Sequence, residues 1–389
     1  MESLSELILK YGEPNALVDH WDNNSKRLAI WGFDEIYSKN LDQLDSSRPL
    51  AEWQTKIDNW KSTTSHPEIC AIGGFSYSLK CKLYPHISFK NYPSHFPAIW
   101  FGKPKMVHEY ALTKESNLPP SHIQMTADIP NEDQYENDIS IIKHHQKIGD
   151  IYQVNYTHPK HYAINGNPFN LYLSLREISE PLCGIYINAK NFQLLSASPE
   201  RFYKTDEDKI KTYPIKGTRK RCKNPIEDKR IANELYHSKK DRAEHLMIVD
   251  LLRNDLGRIC NFGSIKTNNL YKIESFQTVH HMVTEVVGSL KQDVTESSIM
   301  TALFPGGSIT GAPKERALEI IDAIEDYNRN FYTGTLGYIS PNGNMDMNIA
   351  IRTLSIKNSK GVYPVGGGII WDSDPKSEWE EAHHKGAIM

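Results

Sequence analysis

The sequence predicts a globular protein that mixes antiparallel hairpins with helices. Two hairpins are indicated by strand-forming segments on either side of turn-forming residues, over 185–198 and 200–216. Apolar residues at helical spacing predict helices over 225–256 and within PKERALEIIDAIEDY, where Pro313 suits the first turn. The hydrophobic share of 39% and the charged share of 24% are those of an ordinary globular chain.

Hairpins and helices are predicted to continue along the C-terminal part. Three strands are expected, separated by turns at 341–343 and 358–361, and EWEEAHHKGAIM is expected to form a final helix. Cross-strand partners in a hairpin lie at equal distances from its turn. This places three pairs of residues opposite each other: Tyr332 and Arg352, Arg352 and Gly367, and Glu200 and Lys216.

The chain's 389 residues suffice for one large domain or two medium ones. Residues 1–128 are predicted to be β-rich, with many turn signals, and a polar stretch then leads into a helix through SIIKHHQKI. We therefore place a boundary near residue 128, and most of the recognisable chemistry falls in residues 129–389.

Charge and apolar patterning exclude several kinds of partner. The net charge is −3, with 45 basic and 48 acidic residues, so we expect no attraction to nucleic acid or an anionic membrane. No apolar run approaches the roughly 18–20 residues of a membrane span, and the first residues lack signal-peptide features. A cytoplasmic location is therefore expected. The five cysteines include no C-x-x-C, which argues against a disulfide framework and a zinc knuckle.

Two pairs of acidic residues are candidates for a metal site. Asp241 and Glu244 are three residues apart in one predicted helix, and Glu378 and Glu381 are three apart in another. This spacing puts each pair on one helix face. Two such faces brought together would form an oxygen-rich site of the kind that Mg²⁺ prefers. Alternatively, each pair is an ordinary solvated acidic face.

Three segments combine glycine with the means to bind an anion. In PIKGTRKR, Lys216 precedes Gly217 and Thr218, whose backbone N–H groups suit close approach by an anion. In FPGGSITGAPK, glycines such as Gly311 precede a helix start, although the residues of a nucleotide loop are missing. In VGGGII, Gly366–Gly368 indicate either a bulge or close approach of a ligand. For the first two segments, an ordinary turn is the alternative.

Taken together, these segments resemble the chorismate-binding domain of the anthranilate synthase family. The matching stretches follow the family's order over about 260 residues, and the ordered set is far more specific than any one of them. They are GDIYQVN, SASPERF, PIKGTRKR, DRAEHLMIVDLLRNDLGRI, VHHMVTEVVG, FPGGSITGAPK, YTGTLGYI, NIAIRTL, VGGGI and EWEEAHHK.

The resemblance implies an α+β fold with two large antiparallel β-sheets packed face to face, helices outside and the site between the sheets. Residues 129–389 would form the chorismate-binding catalytic domain, and residues 1–128 a shortened N-terminal β-rich portion. The implied cofactor is Mg²⁺.

The resemblance also implies a role for each matching residue. Glu244 and Glu381 match metal ligands, and Asp241 and Glu378 match outer metal positions. Glu200 matches a general acid/base that handles the departing C4 hydroxyl of chorismate, and His281 matches a histidine near the substrate ring. The remaining matches are contacts to the substrate: Tyr332, Arg352, Gly217, Thr218, Gly311, Gly366, Gly367, Gly368 and Lys385.

Two positions favour one activity within this family. Relatives that hydroxylate chorismate resemble one another in having a water-activating lysine where this chain has Gln153, and a glutamine cannot act as that base. Anthranilate synthases usually have alanine where Lys216 stands, whereas the PIKGT form resembles the branch that makes 4-amino-4-deoxychorismate. In that branch the lysine is a covalent nucleophile. Anthranilate formation is the alternative, and a non-catalytic chorismate-binding relative is a third, less favoured by the set of acidic residues.

The ammonia that such an enzyme needs implies a partner. None of the five cysteines lies in the frame of a glutaminase nucleophile. The resemblance therefore implies a separate glutamine amidotransferase subunit that supplies ammonia to this chain.

Overall fold

A computed structural model describes residues 2–20, 27–111, 122–128, 130–276 and 279–387. Its ten described helices are α1 Leu4–Tyr11, α2 Ala51–Thr63, α3 Lys80–Leu83, α4 Glu132–Lys147, α5 Pro168–Ser179, α6 Pro225–His237, α7 Lys239–Gly257, α8 Glu296–Leu303, α9 Lys314–Ile324 and α10 Pro375–Gly386.

The described residues also form eighteen strands. They are β1 Ala16–Asp19, β2 Leu28–Lys39, β3 Ala71–Phe75, β4 Ile99–Glu109, β5 His122–Asp128, β6 Gln153–Asn165, β7 Cys183–Asn188, β8 Gln193–Ser198, β9 Arg201–Asp206, β10 Lys209–Thr212, β11 Ile215–Lys220, β12 Lys266–Ser275, β13 Val279–Ser289, β14 Gly311–Ala312, β15 Thr335–Ile339, β16 Met345–Asn348, β17 Thr353–Lys357 and β18 Lys360–Ile369.

Antiparallel pairing connects all of these strands, and fifteen of them follow one continuous path. The order is β5–β6–β18–β17–β8–β7–β1–β2–β4–β3–β15–β16–β9–β10–β13. Strand β14 adds to β6, and β11 and β12 both pair with β13. The antiparallel pair of β2 and β4 separates two halves, which we call the first arm (β5 to β1) and the second arm (β3 to β13).

The two arms pack face to face over an apolar layer. Ile185 of β7 and Leu194 of β8 share this layer with Ile72 of β3 and Leu336 of β15. Alternate residues of the first arm point outward and pack against α1 and α5. The outer face of the second arm packs against α2, α7 and α8. The predicted α+β fold with two facing antiparallel sheets is confirmed, and continuous pairing joins the sheets.

Several local predictions are also confirmed. Strands β7 and β8 form the hairpin predicted over 185–198, and β9 and β10 pair across the predicted turn before residue 209. Helix α9 buries its predicted apolar face, with Ala317, Ile320 and Ile321 all at most 2% exposed. Pro313 precedes this helix as its N-cap rather than lying in the first turn.

The long helix predicted over 225–256 is wrong, because the chain forms two helices, α6 and α7, that meet at Ser238. Ser238 has extended backbone angles (φ −63°, ψ 111°), and its side chain accepts a hydrogen bond from the backbone N–H of Asp241. A serine that caps a new helix in this way competes with continuation of the preceding one.

The C-terminal part contains four strands instead of the predicted three. The middle predicted strand is divided into β16 and β17, because Arg352 has a φ of 48°. The predicted register is confirmed between β15 and β16, where Gly337 faces Met347. It is wrong between β17 and β18: Ser355 faces Val362, two residues from the prediction, because the turn consists of Asn358 and Ser359, both with positive φ. Arg352 and Gly367 are therefore not cross-strand partners.

Strands from both sides of residue 128 pair with each other, as β1 does with β7 and β3 with β15. Strand pairing therefore does not mark the predicted domain boundary near residue 128, which stays a prediction. Within the described parts of the chain, we find no helix with the length and hydropathy needed to cross a membrane.

Candidate active site

Lys216 lies where β11 of the second arm meets β6 and β18 of the first. Its Nζ donates to Oε1 of Glu244 on α7 at 2.8 Å, and its side chain is 14% exposed. A Cβ added at Gly368 of β18 would lie only 3.2 Å from this Nζ. The amine is thus held in a narrow space between a helix carboxylate and a glycine strand.

Glu200 lies near Lys216, though not through the predicted hairpin. Strand β9 pairs with β10 only as far as Lys204 and Lys211, and β11 then turns away to pair with β13. Burial raises the pKa of Glu200 to about 7, although a hydrogen bond from Ser308 and the charge of Lys216 oppose the rise. The Ser308 hydroxyl donates to Oε1 of Glu200 at 2.9 Å. A carboxyl with this pKa exchanges protons readily near neutral pH.

The glycines of β18 allow close approach and do not form a bulge. The β18–β6 register runs without a break through Gly366–Gly368. A Cβ at Gly366 would collide with the carbonyl oxygen of Tyr156, at 2.2 Å. A Cβ at Gly367 would lie 3.4 Å from Oε2 of Glu378 and 3.5 Å from Nζ of Lys385. Side chains that carry charge therefore converge on this strand.

Both acidic pairs border Lys216 or its strand. On α7, Asp241 accepts from Arg219 of β11 at 2.7 Å, while Glu244 accepts from Lys216. On α10, Glu381 lies 2.8 Å from Lys385. Within the described ranges, these carboxylates do not form a group of three with mutually close ligand atoms.

The donor set nevertheless fits a divalent cation. Burial and then the charge of Glu381 raise the pKa of Glu378. Burial acts in the same direction on Glu381, but Lys385, Lys216 and Lys240 outweigh it and lower the pKa of Glu381. Crowded carboxylates offset by lysines are a site where a cation relieves repulsion. Carboxylate oxygens are also the ligands that Mg²⁺ takes.

Arg352 is a half-buried cation for which the described residues provide no carboxylate partner. Burial lowers its pKa, whereas nearby Tyr363 raises it. Burial, followed by the charges of Arg352 and His280, lowers the pKa of His281 to about 4, so that ring is neutral at pH 7. Nδ1 of His281 and the Thr218 hydroxyl share a hydrogen bond of 2.9 Å. A guanidinium in this setting is suited to bind an anion.

Three other site residues predicted from the sequence are fixed by backbone geometry. Gly217 has a φ of 75°, and a Cβ there would lie 2.9 Å from Leu235 and 3.1 Å from Oδ1 of Asp241. Gly311 pairs with Val154 and has a φ of 149°, so only glycine adopts this backbone without strain. Tyr332 is 4% exposed and precedes Thr333, whose N–H donates to Ala350 O at 2.9 Å.

Sequence reasoning gave no site role to two residues that the structure brings here. Ser308 lies within the glycine segment, and no sequence pattern around it indicates that its hydroxyl contacts Glu200. Gln153 was considered only as the replacement for a lysine. It is fully buried, neither atom of its carboxamide has a hydrogen-bond partner in the described structure, and a Cβ at Gly368 would lie 2.3 Å from its Nε2.

A family model described as chorismate binding enzyme matches residues 13–389. The chain belongs to the chorismate binding enzyme family. It is 40% identical over 277 residues to aminodeoxychorismate synthase component 1 of Escherichia coli, which covers 70% of this chain and 61% of that protein. It is 39% identical over 258 residues to anthranilate synthase component 1 of Aquifex aeolicus, covering 66% of this chain and 52% of that protein. The chain thus matches only about half to three-fifths of these relatives' length.

Solved structures share the fold of this family member over nearly the whole chain. Anthranilate synthase component I of Streptococcus pneumoniae superposes with a TM-score of 0.80 at 24% identity, covering 94% of this chain and 92% of that one. The menaquinone-specific isochorismate synthase of Escherichia coli superposes with a TM-score of 0.75 at 16% identity, covering 96% of this chain and 87% of that one. The family inferred from the ordered segments is confirmed.

Proposed function

We propose that this chain converts chorismate and ammonia into 4-amino-4-deoxychorismate, as the aminating component of an aminodeoxychorismate synthase in p-aminobenzoate and folate synthesis. The observation that carries the proposal is Lys216, whose amine lies against Glu244 and Gly368 within the electrostatic reach of Glu200. The similarity to aminodeoxychorismate synthase component 1 of Escherichia coli supports it.

In the proposed reaction, Lys216 acts as a nucleophile. Its ammonium first loses a proton, and Glu200, with a pKa of about 7, is placed to accept it. The neutral Nζ then forms a bond to C2 of chorismate, both conjugated ring double bonds shift by one position, and the C4–O bond breaks. Glu200 returns a proton to the departing oxygen, which leaves as water.

Ammonia completes the proposed reaction. Its nitrogen forms a bond to C4, both ring double bonds shift back, and the C2–Nζ bond breaks. The electron pair returns to Lys216, and the added nitrogen releases a proton. The product keeps its enolpyruvyl group. Gln153, as a neutral amide, supplies no base that would activate water in place of ammonia.

The proposed substrate contacts surround this reacting centre. Arg352 and Tyr332 would hold the enolpyruvyl carboxylate. His281 would lie near the substrate ring. Around Gly367 and Gly368, the atoms nearest to an added Cβ belong to side chains and not to backbone, and a strand without side chains at these positions suits a flat ring. Further contacts are assigned to Gly217, Thr218, Gly366, Gly367, Gly368 and Lys385.

Magnesium is the proposed cofactor. Glu244 and Glu381 would hold it, with Asp241 and Glu378 in outer positions. When bound, Mg²⁺ offsets the charge of a substrate carboxylate that would otherwise face four acidic side chains. The glutamine amidotransferase partner likewise remains a proposal.

Anthranilate synthesis is the second candidate, because anthranilate synthase component 1 of Aquifex aeolicus is about as similar. The two reactions differ in whether pyruvate is eliminated after amination. Lys216 favours the first, since direct addition of ammonia has no use for a lysine at this position.

The test is to incubate the purified chain with chorismate, Mg²⁺ and ammonium salt at alkaline pH and to analyse the products. We expect a non-fluorescent aminated product that retains the enolpyruvyl group. Intact-mass spectra should also show one chorismate-derived adduct on Lys216. Fluorescent anthranilate and free pyruvate would instead establish the second candidate.

Two variants control the adduct measurement. Lys216→Ala should lose the adduct, whereas Lys220→Ala, an exposed lysine of the same strand, should keep it. Labelling of Lys216→Ala as strong as that of the wild type would refute the covalent step.

A further inference from the structure

A cavity of about 290 Å³ lies between α9, the segment 77–83 and the loop 84–98. Among the described residues that line it, none belongs to the candidate active site. Its volume is at the lower end for ligand pockets, so it suits a molecule much smaller than a nucleotide. The lining residues that matter here are Tyr77, Lys80, Phe89, Ile87, Ile321 and Asp322.

Lys80 is a buried cation with unused hydrogen-bonding capacity. It is 6% exposed, and its Nζ donates to Oδ1 of Asp322 at 3.2 Å. The same Nζ lies 4.1 Å from the ring centroid of Phe89 and 5.0 Å from that of Tyr77. An ammonium carries three N–H donors, and ring contacts do not use them as hydrogen bonds to oxygen would. Among the described residues no other oxygen accepts from this Nζ, so two donors remain for a ligand.

Tyr77 provides a second unused polar group in the same wall. Its side chain is 3% exposed, and its hydroxyl has no hydrogen-bond partner within the described structure. A buried hydroxyl without a partner is costly, so a ligand oxygen that bonded to it would bring a net gain.

The other buried charged groups of the wall already have hydrogen-bond partners. Arg329 donates to both carboxylate oxygens of Glu325 and to three further oxygens. The second oxygen of Asp322 accepts the backbone N–H of Lys90 at 2.7 Å. The wall therefore has unused hydrogen-bond donors and not unused acceptors, which favours an anionic ligand. Phe89, Ile87 and Ile321 offer an apolar surface beside these donors.

We propose that this cavity binds a small aromatic monocarboxylate. Its carboxylate would accept hydrogen bonds from Lys80 and Tyr77, and its ring would pack against Phe89, Ile87 and Ile321. The site is separate from the proposed chorismate site and does not depend on the reaction assigned there.

Isothermal titration calorimetry with benzoate tests this inference, with benzamide as a neutral probe of the same shape. Benzoate should bind the wild-type chain with a millimolar or lower Kd, and benzamide at least about tenfold more weakly, since it cannot form charge-assisted hydrogen bonds. Lys80→Met should weaken benzoate binding at least about tenfold. Lys209→Met, which removes an exposed lysine from β10, should leave it unchanged.

Two further variants keep the test decisive. Tyr77→Phe removes only a hydroxyl that has no partner in the described structure, so it should fold normally and weaken benzoate about three- to tenfold. Arg352→Ala should leave benzoate binding intact. Absence of benzoate heat, equal binding of benzamide, unchanged binding in both pocket variants, or loss of binding in Arg352→Ala would each overturn the proposal. The last outcome would place benzoate in the active site.

Discussion

Burial sets the pKa values of two side chains in this site, and residue type alone does not predict those values. Glu200 is an ordinary glutamate in sequence, but its enclosed position next to Ser308 raises its pKa to about 7. His281 is an ordinary histidine, but burial beside Arg352 lowers its pKa to about 4. The site thereby gains a proton carrier near Lys216 and a histidine ring that is neutral at pH 7.

The raised pKa of Glu200 predicts a pH-dependent cost to folding. The unfolded carboxyl ionises near its ordinary value of 4.5, and the folded one at about 7. The folded state is therefore disfavoured progressively as pH rises between these values, by at most roughly 3 kcal/mol. Glu200→Gln removes the titration. Its free energy of unfolding in urea, relative to that of the wild type, should increase from pH 4.5 to pH 8 and then level off.

Activity should follow the same group. Ionised Glu200 is needed to accept the proton of Lys216, so kcat/KM should rise as pH increases through about 7. Glu200→Gln should lose at least about 100-fold in turnover together with this limb of the profile. A Glu200→Gln enzyme that kept the limb would assign it to another residue.

Arg352 is predicted to hold a substrate carboxylate through both arms of its guanidinium. Arg352→Lys should raise the KM for chorismate about 10- to 100-fold, because an ammonium cannot reproduce the planar fork. The lysine keeps the charge, and the positive φ at this position is about equally unfavourable for both residues, so folding should be little affected. Arg253→Lys, at an exposed position of α7, is the matched control. Unaltered chorismate affinity in Arg352→Lys would contradict the assignment.

Helices α7 and α10 each carry two carboxylates one turn apart, and the two helices pack against β11 and β18. Asp241 and Glu244 both contact β11, while Glu378 reaches Gly367 of β18. Lys216 lowers the pKa of Glu381 as well as pairing with Glu244, so it lies between the two helices.

Removal of one carboxylate from either helix should weaken the proposed metal site. Glu244→Gln and Glu381→Gln keep the side-chain shape, so the fold should survive while turnover falls at least about 100-fold. The Mg²⁺ concentration that gives half-maximal activity should rise in both. Glu380→Gln changes an exposed neighbour on α10 and should behave like the wild type. Near-normal activity of Glu381→Gln at low Mg²⁺ would remove this assignment.

At the scale of the whole molecule, the remaining question is the source of ammonia. The folded chain brings Cys183 near His20 and Asp346, an arrangement that superficially resembles a nucleophile with its base. All three residues are at most 3% exposed, and Asp346 is already paired with Arg201 at 2.8 Å. Glutamine therefore has no access to this thiol. The other buried thiols are Cys70 and Cys260.

The purified single chain is accordingly predicted to use ammonium but not glutamine. Added glutamine amidotransferase subunit should confer glutamine-dependent turnover, and Cys183→Ser should change neither activity. Glutamine-driven turnover by the highly purified single chain, abolished by Cys183→Ser, would contradict this and locate a glutaminase site within the chain.

The sequence by itself determined the family and the mixed fold, and it predicted nearly every residue of the candidate site. It did so because segments such as PIKGT and VGGGI are specific as an ordered set, and because local spacing alone indicates which residues share a helix face. Tertiary structure decided the rest. The capping by Ser238, the left-handed Arg352 and the two-residue turn at Asn358 shifted elements and registers in ways that periodicity does not encode. The pKa of Glu200 and the partners of Lys216 and Ser308 depend on residues distant in the chain, because desolvation and ion pairing exist only once the two arms have packed.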